Sequence, residues 1–241
     1  MLPHQNTDTR WTHALSRTAL VAALVSVALF VSFAALSSEA GDPSLPEEAR
    51  AFIAASANPL SERLLETMDV AQYLSQSAFF LIFALALWRA APVRAALVST
   101  AAAGWLIAAL GGYIWLTAGN VLTSRYALAD AAARPAVLGD FLVQWQVIQA
   151  HFQLGAVVAS IAFLLIASVA RSALGVPRWL TLWIGASGAY SLGERIVVAI
   201  GGRDVPFFPF DLVYILVGVI ALQFAIAKVL WSAPTTTERQ T

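Results

Sequence analysis

Six long apolar runs constrain the fold of this chain more than any other feature of its sequence. A helix needs about 20 apolar residues to cross about 30 Å of hydrocarbon, and each run reaches about that length. Inside lipid every backbone polar group must be bonded within the protein, so such runs predict helices. The sequence therefore predicts an all-α fold, a polytopic integral membrane helix bundle with six transmembrane helices. The predicted spans are residues 18–37, 70–89, 95–117, 150–171, 179–200 and 207–231.

Composition indicates a chain built for lipid and excludes several kinds of site. Of 241 residues, 59% are hydrophobic and 12% are charged, whereas a soluble domain has about 45–50% apolar and about 25% charged residues. The net charge of zero provides no basic surface for nucleic acid. The chain has no cysteine and three histidines, which excludes disulfides and iron–sulfur clusters and leaves little room for a metal site. We therefore expect no cofactor, no metal and no nucleic-acid partner. The expected partners are the lipid bilayer and either a partner membrane subunit or a second copy of the chain in a homo-oligomer.

One membrane domain, residues 18–231, contains the six predicted spans. The polar residues 1–17 before it and 232–241 after it are expected to be cytoplasmic tails. The first run has an alternative interpretation as a cleaved signal peptide, with a small-residue cleavage site ending at Ala40. A signal peptide has an apolar core of about 7–15 residues. The first run is longer than that, so we expect a retained span.

Charges in the connections predict the orientation of the bundle. The N-terminus, the two short turns and the C-terminal end carry mainly Lys and Arg, whereas the connection 38–69 is rich in Asp and Glu. Cytoplasmic loops of membrane proteins carry the excess of Lys and Arg. Both termini are therefore expected in the cytoplasm, and the two long connections, 38–69 and 118–140, on the outer side.

Short surface helices are expected in the outer connections. A pattern of serine, proline and glutamate beginning at Ser44 predicts a capped helix. Asn58 and Pro59 should end this helix, because the residue before a proline is disfavoured in the α conformation. Asp140 is the predicted N-cap of the helix that leads into the fourth span.

Glu194 and Arg195 are the two full charges that lie well inside a predicted span. A charge at mid-bilayer costs about 2.5–3.5 kcal/mol on insertion scales, so it usually faces the bundle interior and has a partner there. Neighbouring side chains leave a helix about 100° apart, and we expect each of the two to find its own partner. Arg195 is predicted to meet Asp211 or Asp69, and Glu194 to meet tyrosine, glutamine or His151.

Polar residues at a similar outer depth of four spans predict one polar cluster, or a shallow pocket, that opens outward and is closed toward the cytoplasm. At the start of the second span, one helix face carries four polar residues, because their spacing is that of successive helical turns. They are Asp69, Gln72, Tyr73 and Gln76. An interhelical network that fixes helix register is the simplest interpretation. A ligand or proton site is the alternative, because intramembrane ionisable residues often mark such sites. The candidate binding residues are Asp69, Gln72, Gln76, His151, Gln153, Tyr190, Glu194, Arg195 and Asp211.

A stripe of small residues in the third span predicts close contact with a neighbouring helix. Small side chains let two helix backbones approach each other in lipid, and we interpret the stripe as a packing surface. Its members are Gly104, Ala108, Gly111 and Gly112.

No motif in the sequence predicts a reaction. The His-Glu-x-x-His pattern of zinc proteases and the Gly-x-Ser-x-Gly elbow of hydrolases are both absent. The favoured interpretation is a non-enzymatic membrane protein with a structural, sensory or accessory role. One alternative is a small transporter or ligand-binding membrane protein with an outward-facing site. A second alternative is an intramembrane enzyme acting on a lipid or quinone, with His151 and Glu194 as acid and base.

Three short motifs, taken in their order and spacing, resemble those of a known family. They are Ala57-Asn58-Pro59-Leu60 before the second span, Gln149-Ala150-His151 at the entry to the fourth, and Val176-Pro177-Arg178-Trp179-Leu180 at the start of the fifth. Over about residues 57–231 the chain resembles the bacterial six-span membrane family known as domain of unknown function 4386, with a fourth-span entry richer in glutamine. The resemblance implies a small multi-pass protein of the bacterial cytoplasmic (inner) membrane, and it assigns no catalytic or binding residue.

Overall fold

The computed structural model describes residues 9–36, 44–88, 91–174, 177–200 and 218–231. Over these ranges the chain is helical and contains no β-strand, so the predicted all-α class is confirmed. The elements are α1 (Thr9–Leu36), α2 (Glu47–Ala57), α3 (Pro59–Leu87), α4 (Pro92–Ile114), a π-helical segment (Trp115–Gly119), α5 (Asn120–Leu128), α6 (Arg134–Leu174), α7 (Arg178–Ala199) and α8 (Gly218–Trp231).

Within the described ranges, four helical stretches are long and apolar enough to cross a membrane, which fits a multi-pass membrane protein. The predicted fifth span corresponds to α7, a helix of 22 residues that is not among these four and contains Glu194 and Arg195. The predicted sixth span corresponds in part to α8, and its residues 207–217 lie outside the described ranges. Six spans therefore stay a prediction. The four stretches are His13–Ser32, Pro59–Leu87, Pro92–Leu128 and Arg134–Ser168.

Six helices form a closed ring in which each packs against two neighbours. Their order around the ring is α1, α3, α4, α6, α7 and α8, and α8 returns to α1. Apolar side chains from all six fill the interior as one hydrophobic core. The opposite faces of these helices expose leucine and valine side chains, as a lipid-facing surface requires. The largest fully buried side chains of the core include Phe79, Phe80, Phe83, Phe163, Leu15, Leu87, Ile166, Leu180 and Ile184.

Helices α4 and α6 touch backbone to backbone at two glycines. A Cβ atom on Gly104 would lie 2.9 Å from the carbonyl oxygen of Gly155, and a Cβ atom on Gly155 would lie 2.7 Å from the carbonyl oxygen of Gly104. Neither approach is possible for a residue with a side chain. Gly111 also faces α6, whereas Gly112 faces Val70 of α3. The predicted packing role of the small-residue stripe is confirmed.

A second hydrophobic core lies apart from the ring, in a region that we call the cap. The cap consists of α2, the π-helical segment, α5 and the first turns of α6. Phe52 of α2 stacks on Phe141 of α6 with ring centroids 4.2 Å apart, and Trp115 meets Phe141 edge-on. Leu122 and Val137 complete the buried part of this core. Helix α6 has 41 residues, or about 60 Å at 1.5 Å per residue, so it is long enough to serve both cores.

The starts of α2 and α6 differ from those that the sequence predicts. The N-cap of α2 is Pro46 rather than Ser44. Asn58 separates α2 from α3 as predicted, and α3 begins directly at Pro59, because proline is preorganised for the first helical position. Helix α6 begins well before Asp140, which is therefore not its cap. The backbone N–H groups just before α6 are instead bonded by the Asp130 carboxylate, at 3.1 and 2.8 Å.

Candidate functional site

The hydrogen bonds of the described polar residues connect them in three groups, and whether these groups form one cluster stays a prediction. We call them the central chain, inside the ring; the α6–α7 group, between those two helices; and the cap junction, where α3 meets the cap. Of the predicted binding residues, Asp211 lies outside the described ranges. Whether any of the others binds a ligand stays a prediction.

The central chain links three helices through buried side chains. The Gln223 amide of α8 donates to the side-chain oxygen of Gln76 on α3. The Gln76 amide donates to the Ser26 hydroxyl of α1 at 2.8 Å, and Ser26 donates to the Ala22 carbonyl at 2.9 Å. Polar side chains of this kind hold helices together in lipid. Sequence reasoning missed Ser26 and Gln223, although an amide in the apolar run of α8 is a signal that it needs a partner.

Two buried side-chain amides, that of Gln223 in the central chain and that of Gln72 one turn before Gln76 on α3, each have an atom without a hydrogen-bond partner in the described part of the chain. Within the described residues, Gln223 Oε1 and Gln72 Nε2 have no hydrogen-bond partner, and both atoms are buried. The first is an acceptor and the second is a donor. Leaving such a group buried without a partner costs about 1–3 kcal/mol. The two groups differ in what they lack among the described residues: Gln223 Oε1 has no donor and Gln72 Nε2 has no acceptor.

In the α6–α7 group, Glu194 and Arg195 contact each other. Arg195 Nη2 lies 3.5 Å from Glu194 Oε2, and Arg195 Nη1 donates to Gln153 Oε1 of α6 at 2.6 Å. Side chains of this length can bend toward each other after leaving the helix in different directions, so Arg195 contacts both Glu194 and Gln153. The predicted pairing of Arg195 with Asp211 lies outside the described residues and stays a prediction. Asp69, one of the partners predicted for Arg195, accepts a hydrogen bond from Tyr73 on its own helix.

Ser187, Tyr190, Ser191 and Glu194 form a polar face of α7, and this part of the helix packs against α6. The Ser187 hydroxyl donates to the carbonyl of Trp183 at 2.8 Å, and Ser191 is fully buried. A Cβ atom on Gly188 would lie 2.8 Å from the Ser160 carbonyl oxygen of α6. Tyr190 is half-buried on the same helix. This face therefore contributes to helix packing.

His151 and Gln153 point to opposite sides of α6. A Cβ atom on Gly111 of α4 would lie 3.0 Å from the His151 Cβ, so His151 faces α4. Its Nδ1 lies 2.8 Å from the Val147 carbonyl of its own helix. Gln153 faces α7, where it meets Arg195, because two positions along a helix are separated by about 200°. The arrangement separates His151 from Glu194 by the width of α6.

The polar face predicted for the start of the second span serves two interfaces. Tyr73 packs against Trp105 of α4 and Phe152 of α6, with ring centroids 5.8 and 5.7 Å away. Gln72 and Gln76 are instead buried toward the interior of the ring. Helix α3 lies between α1 and α4 in the ring, so one part of this polar face contacts α4 and α6 and another part contacts α1.

At the cap junction, two carboxylates of α3 hold both ends of the π-helical segment. The Trp115 indole N–H, at the start of the segment, donates to Glu62. The Asn120 amide, directly after the segment, donates to Glu66 Oε2 at 3.3 Å and to the Leu116 carbonyl. Arg63 Nε donates to Asn120 Oδ1 at 3.0 Å. Short π-helical insertions occur frequently at functional sites.

Glu66 is the most buried charged residue of the cap junction, with 6% of its surface exposed. Its second carboxylate oxygen, Oε1, is buried and has no hydrogen-bond partner within the described residues. Sequence reasoning assigned Glu62 and Glu66 to an acidic outer connection and missed this site. The signal was their spacing of four residues, which places both on one face of a helix.

The cap also contains a cleft of about 340 Å³ between α2 and α5. Its walls are mainly apolar, and the Arg134 guanidinium lies over the Tyr126 ring at 5.4 Å. In the part of the chain that the structure describes, no three His, Asp or Glu side chains are grouped to hold a metal ion. The cleft is lined by Ile53, Ser56, Ala57, Tyr126, Ala127 and Arg134.

Comparison with known proteins leaves the resemblance to the six-span family a prediction. No family model, no curated protein and no solved structure matches this chain.

Proposed function

We propose that this chain is a non-enzymatic integral membrane protein that acts, as a structural, sensory or accessory subunit, through its cap. The observation that carries the proposal is the separate hydrophobic core of the cap, in which Phe52 and Phe141 stack. Because the cap has its own hydrophobic core, it is a folded unit with a defined surface rather than a pair of loops. The partner is a membrane subunit or a second copy of the chain.

The proposed topology has six spans, with both termini in the cytoplasm of a bacterial inner-membrane protein and the cap on the outer side. Closure of the ring by α7 and α8 supports six spans. The basic tails and short turns, set against the acidic connection 38–69, support the orientation.

A non-enzymatic role is supported by the contacts of the polar residues. Most of them bond to other helices or to their own helix, as a network that fixes helix register would require. The acid–base pair of the enzyme alternative lacks support, because His151 faces α4 and Glu194 belongs to α7.

The topology can be tested by cysteine labelling, because the chain has no native cysteine. Single cysteines would replace three exposed residues: Ala131 in the cap, Ile200 after α7, and Val93 at the start of α4. A membrane-impermeant maleimide should label the first two in intact cells, and Val93→Cys only after permeabilisation. Labelling of Val93→Cys in intact cells would contradict the orientation. Protection of Ile200→Cys would contradict a fifth span.

The role of the cap can be tested by site-specific photocrosslinking in native membranes. A photoreactive residue would replace Leu128, which is 89% exposed in the cap, with Val93, which is 72% exposed at the other end of the ring, as the matched control. We expect one discrete product from the cap position and none from the control. A product of twice the mass identifies a homo-oligomer. Equal labelling from both positions, or none from either, would reject a cap-mediated role.

A small transporter or ligand-binding protein is the second candidate, and the unused bonding capacity of Gln72 and Gln223 favours it. The site would accept a small neutral solute rather than an ion, because the central chain carries no charge. A thermal-shift screen in detergent against neutral solutes, ions and lipids at two pH values tests this function. If no compound raises the melting temperature of the wild type beyond that of Gln72→Leu, the candidate fails.

A further inference from the structure

The two oxygens of the Glu66 carboxyl have different surroundings. Its Oε2 accepts from the Asn120 amide, whereas Oε1 is buried without a partner within the described residues. An ionised carboxylate in this position would keep a charged oxygen away from both water and donors. Burying a charge without a partner costs much more than burying a neutral polar group.

The charges around Glu66 oppose its ionisation. Glu62 and Asp69, both on α3, repel a negative charge on Glu66, and Arg63 of the same helix is the one positive group among the described residues that acts on it. Arg63 is exposed and directs its Nε to Asn120 rather than to Glu66. From the π-helical segment and α5, the neutral side chains of Trp115 and Asn120 donate to Glu62 and Glu66 respectively.

We propose that Glu66 is a proton-binding site that carries one exchangeable proton on Oε1. The proton comes from the solvent beside the cap and converts the carboxylate to a carboxylic acid, with no other bond formed or broken. Glu62 is half-buried and lies one turn nearer the start of α3, so it provides the exchange route. Oε2 stays bonded to Asn120 in both states, so the proton is gained and lost without detaching the cap. The proposal goes beyond the proposed function and does not depend on the identity of a cap partner.

The test is infrared spectroscopy of the full-length protein in detergent micelles between about pH 5 and pH 9. A protonated carboxyl absorbs separately from a carboxylate and shifts in deuterium oxide. At the acidic end of this pH range, the infrared spectrum of the wild type minus that of Glu66→Gln should contain one protonated-carboxyl band. This band should disappear as the pH rises. The exposed residue Glu48 of α2 supplies the matched control. The difference between wild type and Glu48→Gln should contain no such band.

A second variant and a salt comparison complete the test. If Glu66→Gln does not fold, Glu66→Asp should shift the band rather than delete it, because the acid is retained on a shorter side chain. The wild-type band should be the same in sodium chloride and in the chloride of a bulky organic cation. The proposal is wrong if the wild type lacks the band, if Glu66→Gln retains it, or if sodium removes it at constant pH. The last result would assign the site to a metal cation.

Discussion

Gln76 and Gln223 are bonded side chain to side chain inside the ring, although 147 positions separate them along the chain. The bond joins α3 to α8, and the second amide hydrogen bond of Gln76 extends the link to α1. In lipid, apolar helix surfaces have little preference for one another over the acyl chains. A directional contact between amides is therefore a strong determinant of which helices meet.

Gln76→Leu should destabilise the protein by about 1–3 kcal/mol, because it leaves the buried amide of Gln223 without its acceptor. The double variant Gln76→Leu, Gln223→Leu should recover part of that loss, because it removes both partners. Equilibrium unfolding in mixed micelles gives the coupling energy, which we expect at about 0.5–2 kcal/mol. Additive effects of the two substitutions would show that the bond does not contribute.

Gly155→Ala should destabilise the ring by about 1–3 kcal/mol, because its methyl group would overlap the Gly104 carbonyl and force α4 and α6 apart. Gly139 of the same helix is the matched control, since a Cβ atom there meets nothing within 4 Å. Gly139→Ala should be neutral or stabilise by about 0.5–1 kcal/mol through helix propensity. Thermal unfolding followed by circular dichroism should give a lower melting temperature for Gly155→Ala and an unchanged or higher one for Gly139→Ala. Equal shifts would contradict the close contact.

Asn120→Ala should loosen the cap from α3, because it removes the hydrogen bonds to Glu66, to Arg63 and to the Leu116 carbonyl. We expect a loss of about 1–3 kcal/mol and faster amide hydrogen exchange in the π-helical segment and α5. Asn58→Ala is the control: this exposed asparagine forms no capping side-chain bond to α2 or α3, so its effect should stay within about 0.5 kcal/mol. Unchanged amide exchange in Asn120→Ala would contradict a role of Asn120 in attaching the cap to α3.

Arg195→Gln should lower the yield of folded protein, because Glu194 then keeps a largely buried charge without its cation. The expected loss is about 1.5–3 kcal/mol, the range for hydrogen bonds to charged groups. Glu194→Gln combined with Arg195→Gln should restore much of the yield. Size-exclusion chromatography in detergent measures the monodisperse fraction. A single variant as stable as the wild type that nonetheless loses a cellular function would assign the pair to function rather than to packing.

Much of the architecture can be predicted from the sequence. Hydropathy locates the apolar helices, Asn58 and Pro59 separate α2 from α3, and Gly104 belongs to a stripe that predicts backbone contact. Each of these features depends on residues that are near one another in the chain or on the lipid itself. Their physical effect is therefore set before any tertiary contact forms.

The partners of the polar side chains could not be predicted in the same way. Glu66 belongs by sequence to an acidic connection, and only the packing of the cap buries it and leaves one oxygen without a donor. Adjacent charges are expected to diverge, yet Glu194 and Arg195 meet at 3.5 Å. The direction in which a side chain leaves its helix does not determine the position of a charge several bonds away.

The sequence by itself determined that this chain forms apolar helices suited to a bilayer, because hydropathy is a sum over neighbouring residues. The tertiary structure alone decided which helices share hydrogen bonds, as with Gln223 and Gln76, and where a carboxyl such as Glu66 is closed off from water. Those outcomes depend on how each helix is rotated against its neighbours. Rotation is set by contacts between residues far apart in the chain.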